Sequence, residues 1–152
     1  MPSTPLLLDT DTLSELSRGN PTVSARARAY LIEFGRLTVS AVTIFERLRG
    51  YRQAIRAGKP YQRQMQAFDV LAQSCVVLSF DDIAADVAAT IWSGCSRSQR
   101  NNLGDILIAA TAVARQIPLV TRNRKDFDAL AKQSGVELHL VEWTKPARTG
   151  TQ

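Results

Sequence analysis

Leu6-Leu7-Leu8-Asp9-Thr10-Asp11-Thr12 is an apolar run of three leucines that stops on two aspartates and two threonines. A run this short, without polar alternation, reads as a strand buried on both faces, and the Asp/Thr cluster that ends it starts a helix. The same alternation recurs along the chain. The helix after Asp9 is expected to be short and to stop at Gly19-Asn20-Pro21, where Pro21 opens a second helix that runs to Phe34 and ends at Gly35. Residues 37–40 read as a second strand. Helices over about 43–58 and 61–73 follow, the latter with Met65, Phe68 and Leu71 on one face. Residues 75–78 read as a third strand, and Asp81-Asp82 starts a helix with Ile83, Val87 and Ile91 on one stripe. A polar loop over 96–102 leads into 104–115, apolar nearly all round and therefore a core helix. A fourth strand over 118–121, a helix over 126–134 and an edge-like strand over 136–143 complete the pattern.

Strands alternating with helices predict an α/β fold with a parallel sheet of about five short strands, covered by helices on both faces. The expected domain spans 1–144, with 145–152 as a polar, frayed tail. The chain has 152 residues, 45% hydrophobic and 22% charged, which suits one globular domain. No apolar run approaches the roughly 20 residues that cross a bilayer. Met1-Pro2-Ser3-Thr4-Pro5 has neither the basic region nor the cleavage site of a signal peptide, so the cytosol is the expected compartment. Cys75 and Cys95 lack metal-type spacing and are expected to be buried thiols; the lone His139 is expected to be structural. A net charge of +5 suits an anionic partner such as nucleic acid.

Ligands of open α/β sheets bind at the carboxyl ends of the strands. Asp9 ends the first strand, Glu46 lies just inside the helix after the second, and Asp126 follows the fourth by a polar turn. Asp105 heads the apolar helix and joins them if that helix starts at the same rim. Each has an ordinary explanation as well. Asp9 could cap a helix, Glu46 could be a surface residue beside Arg47 and Arg49, Asp105 could favour a helix dipole, and Asp126 could follow an Asn123 cap. Together they point elsewhere. Two unit charges about 4 Å apart repel by about 4 kcal/mol at an effective dielectric of about 20, and a cation between them removes that cost. Oxygen donors without Cys or His favour Mg²⁺ or Mn²⁺. Such ions activate water and stabilise a leaving oxygen in phosphodiester hydrolysis. Asp11 and Glu15 stand close enough in sequence to act through water, whereas Asp81 and Asp82 are accounted for as a helix start.

Four stretches also carry a resemblance. Residues 6–16, Ser40-Ala41-Val42-Thr43-Ile44-Phe45-Glu46, Asp105-Ile106-Leu107-Ile108-Ala109-Ala110-Thr111-Ala112 and Val120-Thr121-Arg122-Asn123-Arg124-Lys125-Asp126-Phe127 resemble, in order and spacing, the four motifs of PIN domains. The similarity extends over about 6–143 and is nearest to the VapC-like toxins. It implies a three-layer α/β/α sandwich and RNA cleavage dependent on Mg²⁺ or Mn²⁺. It also implies a homodimer, inhibition by a VapB-type antitoxin, and contact with operator DNA only through that antitoxin. By position it makes Asp9, Glu46, Asp105 and Asp126 the metal-binding carboxylates, with Thr43, Asn123 and Asp11 in support. Many relatives have Asn or Ser at the place of Asp11 and Ala at that of Ile106. Arg47, Arg49, Arg97, Arg100, Arg122 and Arg124 flank the rim as candidate phosphate contacts.

Two other readings compete. A haloacid-dehalogenase-like phosphatase also spaces two aspartates as Asp9 and Asp11 are spaced. That family, however, wants Thr or Val where Leu13 stands, and an apolar strand where Ser98-Gln99-Arg100-Asn101-Asn102 precedes Gly104. A non-catalytic PIN domain would bind RNA or a partner without cutting.

Overall fold

Leu7 and Leu8 have no accessible surface and pair with a neighbouring strand on each side, which is why the leucine run tolerates no polar residue. They form β1 in a computed structural model that describes residues 4–146. Around β1 the chain lays down α1 (Thr10–Ser17), α2 (Pro21–Phe34), β2 (Thr38–Ser40), α3 (Ala41–Arg56), α4 (Gln62–Ser74) and β3 (Val76–Leu78). Then follow α5 (Asp82–Gly94), α6 (Arg97–Arg100), α7 (Leu103–Arg115), β4 (Leu119–Val120), α8 (Arg124–Ser134) and β5 (Leu140–Val141). All neighbouring strands are parallel, in the order β3-β2-β1-β4-β5.

Side chains alternate across the pleat, and the alternation sorts the core into two layers. Leu7 and Leu119 face Ile91, Ile106, Ile108 and Phe127 on the side of α5, α7 and α8. Leu8, Val39 and Val120 face Leu13, Val23, Phe68 and Trp143 on the other side, which α1 to α4 cover. The expected three-layer α/β/α sandwich with five short parallel strands is therefore the observed one.

The helix signals act at the predicted places. Asn20 accepts from the backbone N–H groups of Thr22 and Val23 ahead of Pro21, and Gly35 ends α2 with φ 77°, a conformation open to glycine. α7 is the expected core helix, with Ile106, Ile108, Ala109, Ala110, Thr111 and Ala112 all buried. Both cysteines are buried. Among the described residues no helix is long and apolar enough to cross a membrane.

Several expectations need correcting. Of the expected stripe, Val87 and Ile91 reach the core but Ile83 is 59% exposed; Asp81 caps α5 through the N–H of Ala84, and Ala84 and Ala88 are buried beside Ile91. These small residues let α5 lie close on α7. The polar loop contains a helical turn, α6, closed by reciprocal bonds between Ser96 and Gln99. Within 136–143 only Leu140–Val141 pairs as a strand, because β4 offers just two residues to pair with. The third strand is the opposite edge of the sheet, with Val76 and Val77 exposed. His139 is exposed, 3.1 Å from Glu137, and is no part of the core. Of the expected tail, Lys145 pairs with Glu142 at 3.6 Å, and 147–152 lie outside the described residues.

Candidate active site at the carboxyl rim

Register places the first three components level with one another. Leu8 pairs with Val39 on one side and with Val120 on the other, so Asp9, Ser40 and Thr121 leave the sheet side by side. The chain visits β2 and β3 on one side of β1 before crossing to β4 and β5 on the other. β1 thus marks the point where strand order reverses, the place where such sheets open a crevice.

Asp9 is 4% exposed and occupies the N-cap of α1, accepting from the N–H of Thr12 at 2.7 Å. Burial pushes its carboxyl above the ordinary range; hydrogen bonds from Thr121 and Thr12 oppose that, and the charge of Asp11 adds to it. The cap and the site are therefore one residue, and the two explanations offered by the sequence are both satisfied. Asp11 accepts from the Asn123 side-chain amide at 2.7 Å, which ties α1 to the turn before α8. Asn123 is at the N-cap position of α8 but makes no side-chain cap; its amide serves Asp11 instead. Its backbone N–H donates to the Thr121 hydroxyl at 3.0 Å.

Glu46 reaches the rim from α3. Its Oε1 accepts from the Thr10 hydroxyl at 2.7 Å, and its Oε2 rests on Gly104, where a Cβ would overlap it. Asp105, in the first turn of α7, is pushed up to about 6, first by burial and then by the charges of Glu46, Asp9, Asp11 and Asp126. Asp126, exposed in the first turn of α8, lines a cleft of about 240 Å³ with Asp105, Ser98, Gln99 and Asn102. Asp105 thus lies within electrostatic reach of the other three predicted carboxylates and of Asp11.

As the side chains lie, no three acidic, histidine or cysteine groups among the described residues are close enough to enclose an ion. The donor chemistry nevertheless fits one. Every donor is a carboxylate or hydroxyl oxygen, and the repulsion felt by Asp105 is the kind that a divalent cation relieves.

Glu15 is engaged by other partners. The Asn20 amide, Arg122 and Arg18 hold its carboxyl below the usual range. Asp81 is the cap of α5, as its sequence context implied, and faces Arg115 at 3.6 Å.

The arginines divide by what they touch. Arg47, expected as a phosphate contact, is instead a structural brace. Its guanidinium donates to Ser14 at 2.7 Å and Tyr51 at 2.5 Å and lies over the rings of Tyr51 and Phe68. Arg122 pairs with Glu15 at 3.3 Å, and Arg100 lies over Trp92. Arg49 stands 3.9 Å from Glu46 and over Phe45. Arg97 and Arg124 are exposed near the cleft-lining residues of α6 and α8.

No role for Thr10, Gly104 or Thr121 was legible in the sequence, and Ser40 stood out only as the hydroxyl that opens a motif. Hydroxyl residues beside an acidic residue look like ordinary helix starts. The one available signal for Gly104 was a glycine set immediately before the acidic head of an apolar helix.

A PIN domain family model matches residues 6–133. A curated relative, "Ribonuclease VapC1" of Haemophilus influenzae (strain R2866), is 24% identical over 141 residues, covering 91% of this chain and 98% of its own length. Among solved structures, VapBC-1 from nontypeable Haemophilus influenzae is similar at a TM-score of 0.71 and 24% identity, over 92% of this chain and 98% of that one. DNA-bound VapBC from Salmonella typhimurium gives 0.71 at 18% identity, over 93% and 99%. The helical turn α6 stands where the phosphatase reading needs a strand before Gly104, so that reading is set aside. On its family match and on the observed fold, the chain belongs to the PIN domain family.

Proposed function

We propose that this chain is a divalent-metal-dependent endoribonuclease, the toxin of a toxin–antitoxin pair whose other member is a VapB-type protein. The observation that carries the reading is the convergence of Asp9, Glu46, Asp105 and Asp126 on the carboxyl rim, where burial first and the neighbouring carboxylates second push Asp105 up to about 6. The curated relative named Ribonuclease VapC1 and the solved VapBC assemblies support the activity and the partner.

Asp9, Glu46, Asp105 and Asp126 would hold Mg²⁺ or Mn²⁺. Bound there, such an ion lowers the pKa of water and stabilises charge on the phosphate oxygens. The chain's own residues do the positioning. The N–H of Thr12 and the Thr121 hydroxyl fix Asp9, while Asn123 steadies Asp11 beside it. Arg49, Arg97 and Arg124 are the arginines of the rim with room to meet backbone phosphates, and they set the register of the RNA. Activity belongs to the cytosol, as a homodimer, with operator DNA reached only through the antitoxin.

The test is cleavage of labelled single-stranded RNA by antitoxin-free protein in Mg²⁺, in Mn²⁺ and in EDTA, beside hydrolysis of a chromogenic phosphomonoester. Metal-dependent RNA fragments, absent with Asp105→Asn and without phosphomonoester turnover, are expected. RNA retention without cutting in any metal would leave a binding protein and overturn the enzyme reading.

A further inference from the structure

A row of three hydroxyls leads to Glu46, and hydrogen-bond bookkeeping gives it a direction. Each hydroxyl has one proton to donate, and a carboxylate only accepts. Thr10 Oγ1 lies 2.7 Å from Glu46 Oε1 and spends its proton there. The 3.1 Å contact between Thr10 and Thr43 must then be a donation from Thr43 to Thr10. With its proton so committed, Thr43 accepts from the Ser40 hydroxyl at 3.2 Å. Ser40 in turn accepts from the N–H of Thr43 at 3.0 Å, closing the first turn of α3. Ser40 and Thr43 have no accessible surface, so water does not compete for these bonds. On the far side of the carboxylate, Glu46 Oε2 rests against Gly104, where only the absence of a side chain leaves room.

We propose that Thr10 is the positioning residue for Glu46, the last donor of a one-way relay Ser40→Thr43→Thr10→Glu46 that seats the carboxylate against Gly104. Thr10 follows Asp9 directly in α1. One turn of chain therefore aims two of the carboxylates, Asp9 through the N–H of Thr12 and Glu46 through the hydroxyl of Thr10. Polarised hydroxyls in series strengthen the final bond. Outer-sphere partners of this kind orient metal-binding groups, and their loss weakens metal binding about 10- to 100-fold.

The inference rests on the metal reading for one of its two tests. In the first, Mn²⁺ binding is titrated into the parent, Thr10→Val and Thr10→Ser, each verified as folded by circular dichroism. Thr10→Val keeps the shape and loses the donor, so binding about 10- to 100-fold weaker is expected, with Thr10→Ser recovering most of it. Thr10→Val binding as tightly as the parent would overturn the proposal. The second test is made in EDTA, by NMR of the hydroxyl protons. A slowly exchanging Thr10 hydroxyl proton, lost in Glu46→Ala, is expected; rapid exchange in the parent would overturn the relay. A parent that fails to bind Mn²⁺ while keeping that protected proton would sink the metal reading and leave the relay standing.

Discussion

Asp105 is the residue whose chemistry departs furthest from its sequence context. A carboxyl raised in the folded state to about 6 holds its proton more tightly than it does in the unfolded chain. Its contribution to stability is therefore fully present below the unfolded value of 3.8 and is lost as pH climbs through about 6. In EDTA, the urea midpoint of the parent should fall over that window, and Asp105→Asn should remove this part of the fall. A midpoint with the same pH profile in both proteins would show that Asp105 carries no such strain. Arg47 gives the opposite lesson. Its bonds to Ser14 and Tyr51 and its place over two rings make it a brace between α1, α3 and α4. Arg47→Ala should cost about 1–3 kcal/mol in denaturant unfolding, since hydrogen bonds of a half-buried charge are lost with the packing. At the same time it should leave the salt dependence of RNA binding unchanged.

At the scale of elements, what could be read in advance was whatever a local pattern dictates. Leu7 and Leu8 of β1, Pro21 after Asn20, and the apolar circumference of α7 each imply one structure and received it. The failures have a shared cause, in that tertiary pairing decided them. Residues 136–143 are apolar enough for a longer strand, yet β4 offers only two residues to pair with. Ile83 sits at the same spacing as Val87 and Ile91, yet it stays exposed while Ala84 and Ala88 take the buried face beside Ile91. Close approach between helices was equally illegible. Gly94 ends α5 where an added Cβ would stand 2.8 Å from the carbonyl oxygen of Gln133 and 3.2 Å from Ser134 Cα, all backbone that cannot swing aside. Gly94→Ala should therefore destabilise the fold by about 1–3 kcal/mol, as overpacking does, seen as a lower thermal midpoint. An unchanged or raised midpoint would mean that α8 shifts freely.

Across the whole molecule, the carboxylates were legible because topology does the gathering. Parallel strands put their ends on one rim, so Asp9, Glu46 and Asp126 were placed there by the alternation of strands and helices alone, and Asp105 followed from the start of α7. Of the hydroxyls that hold these groups, Thr43 was reached through the motif resemblance, whereas Thr10 was not legible, because its partners Thr43 and Glu46 lie more than thirty residues away in sequence. With acidic groups concentrated at the rim of a chain of net charge +5, the remaining surface is the more basic. RNA affinity should fall steeply with salt, and Arg124→Ala should flatten the log–log slope by about 0.7, the share of one phosphate contact on a single strand. An unaltered slope would remove Arg124 from the RNA path.

The central claim is that the rim is a divalent-metal site, and anomalous scattering from crystals grown with Mn²⁺ tests it most directly. The account predicts an anomalous peak among Asp9, Glu46, Asp105 and Asp126, absent when Asp9→Asn is crystallised in the same way. A rim without a peak at saturating Mn²⁺, or a peak bound elsewhere and indifferent to Asp9→Asn, would contradict it.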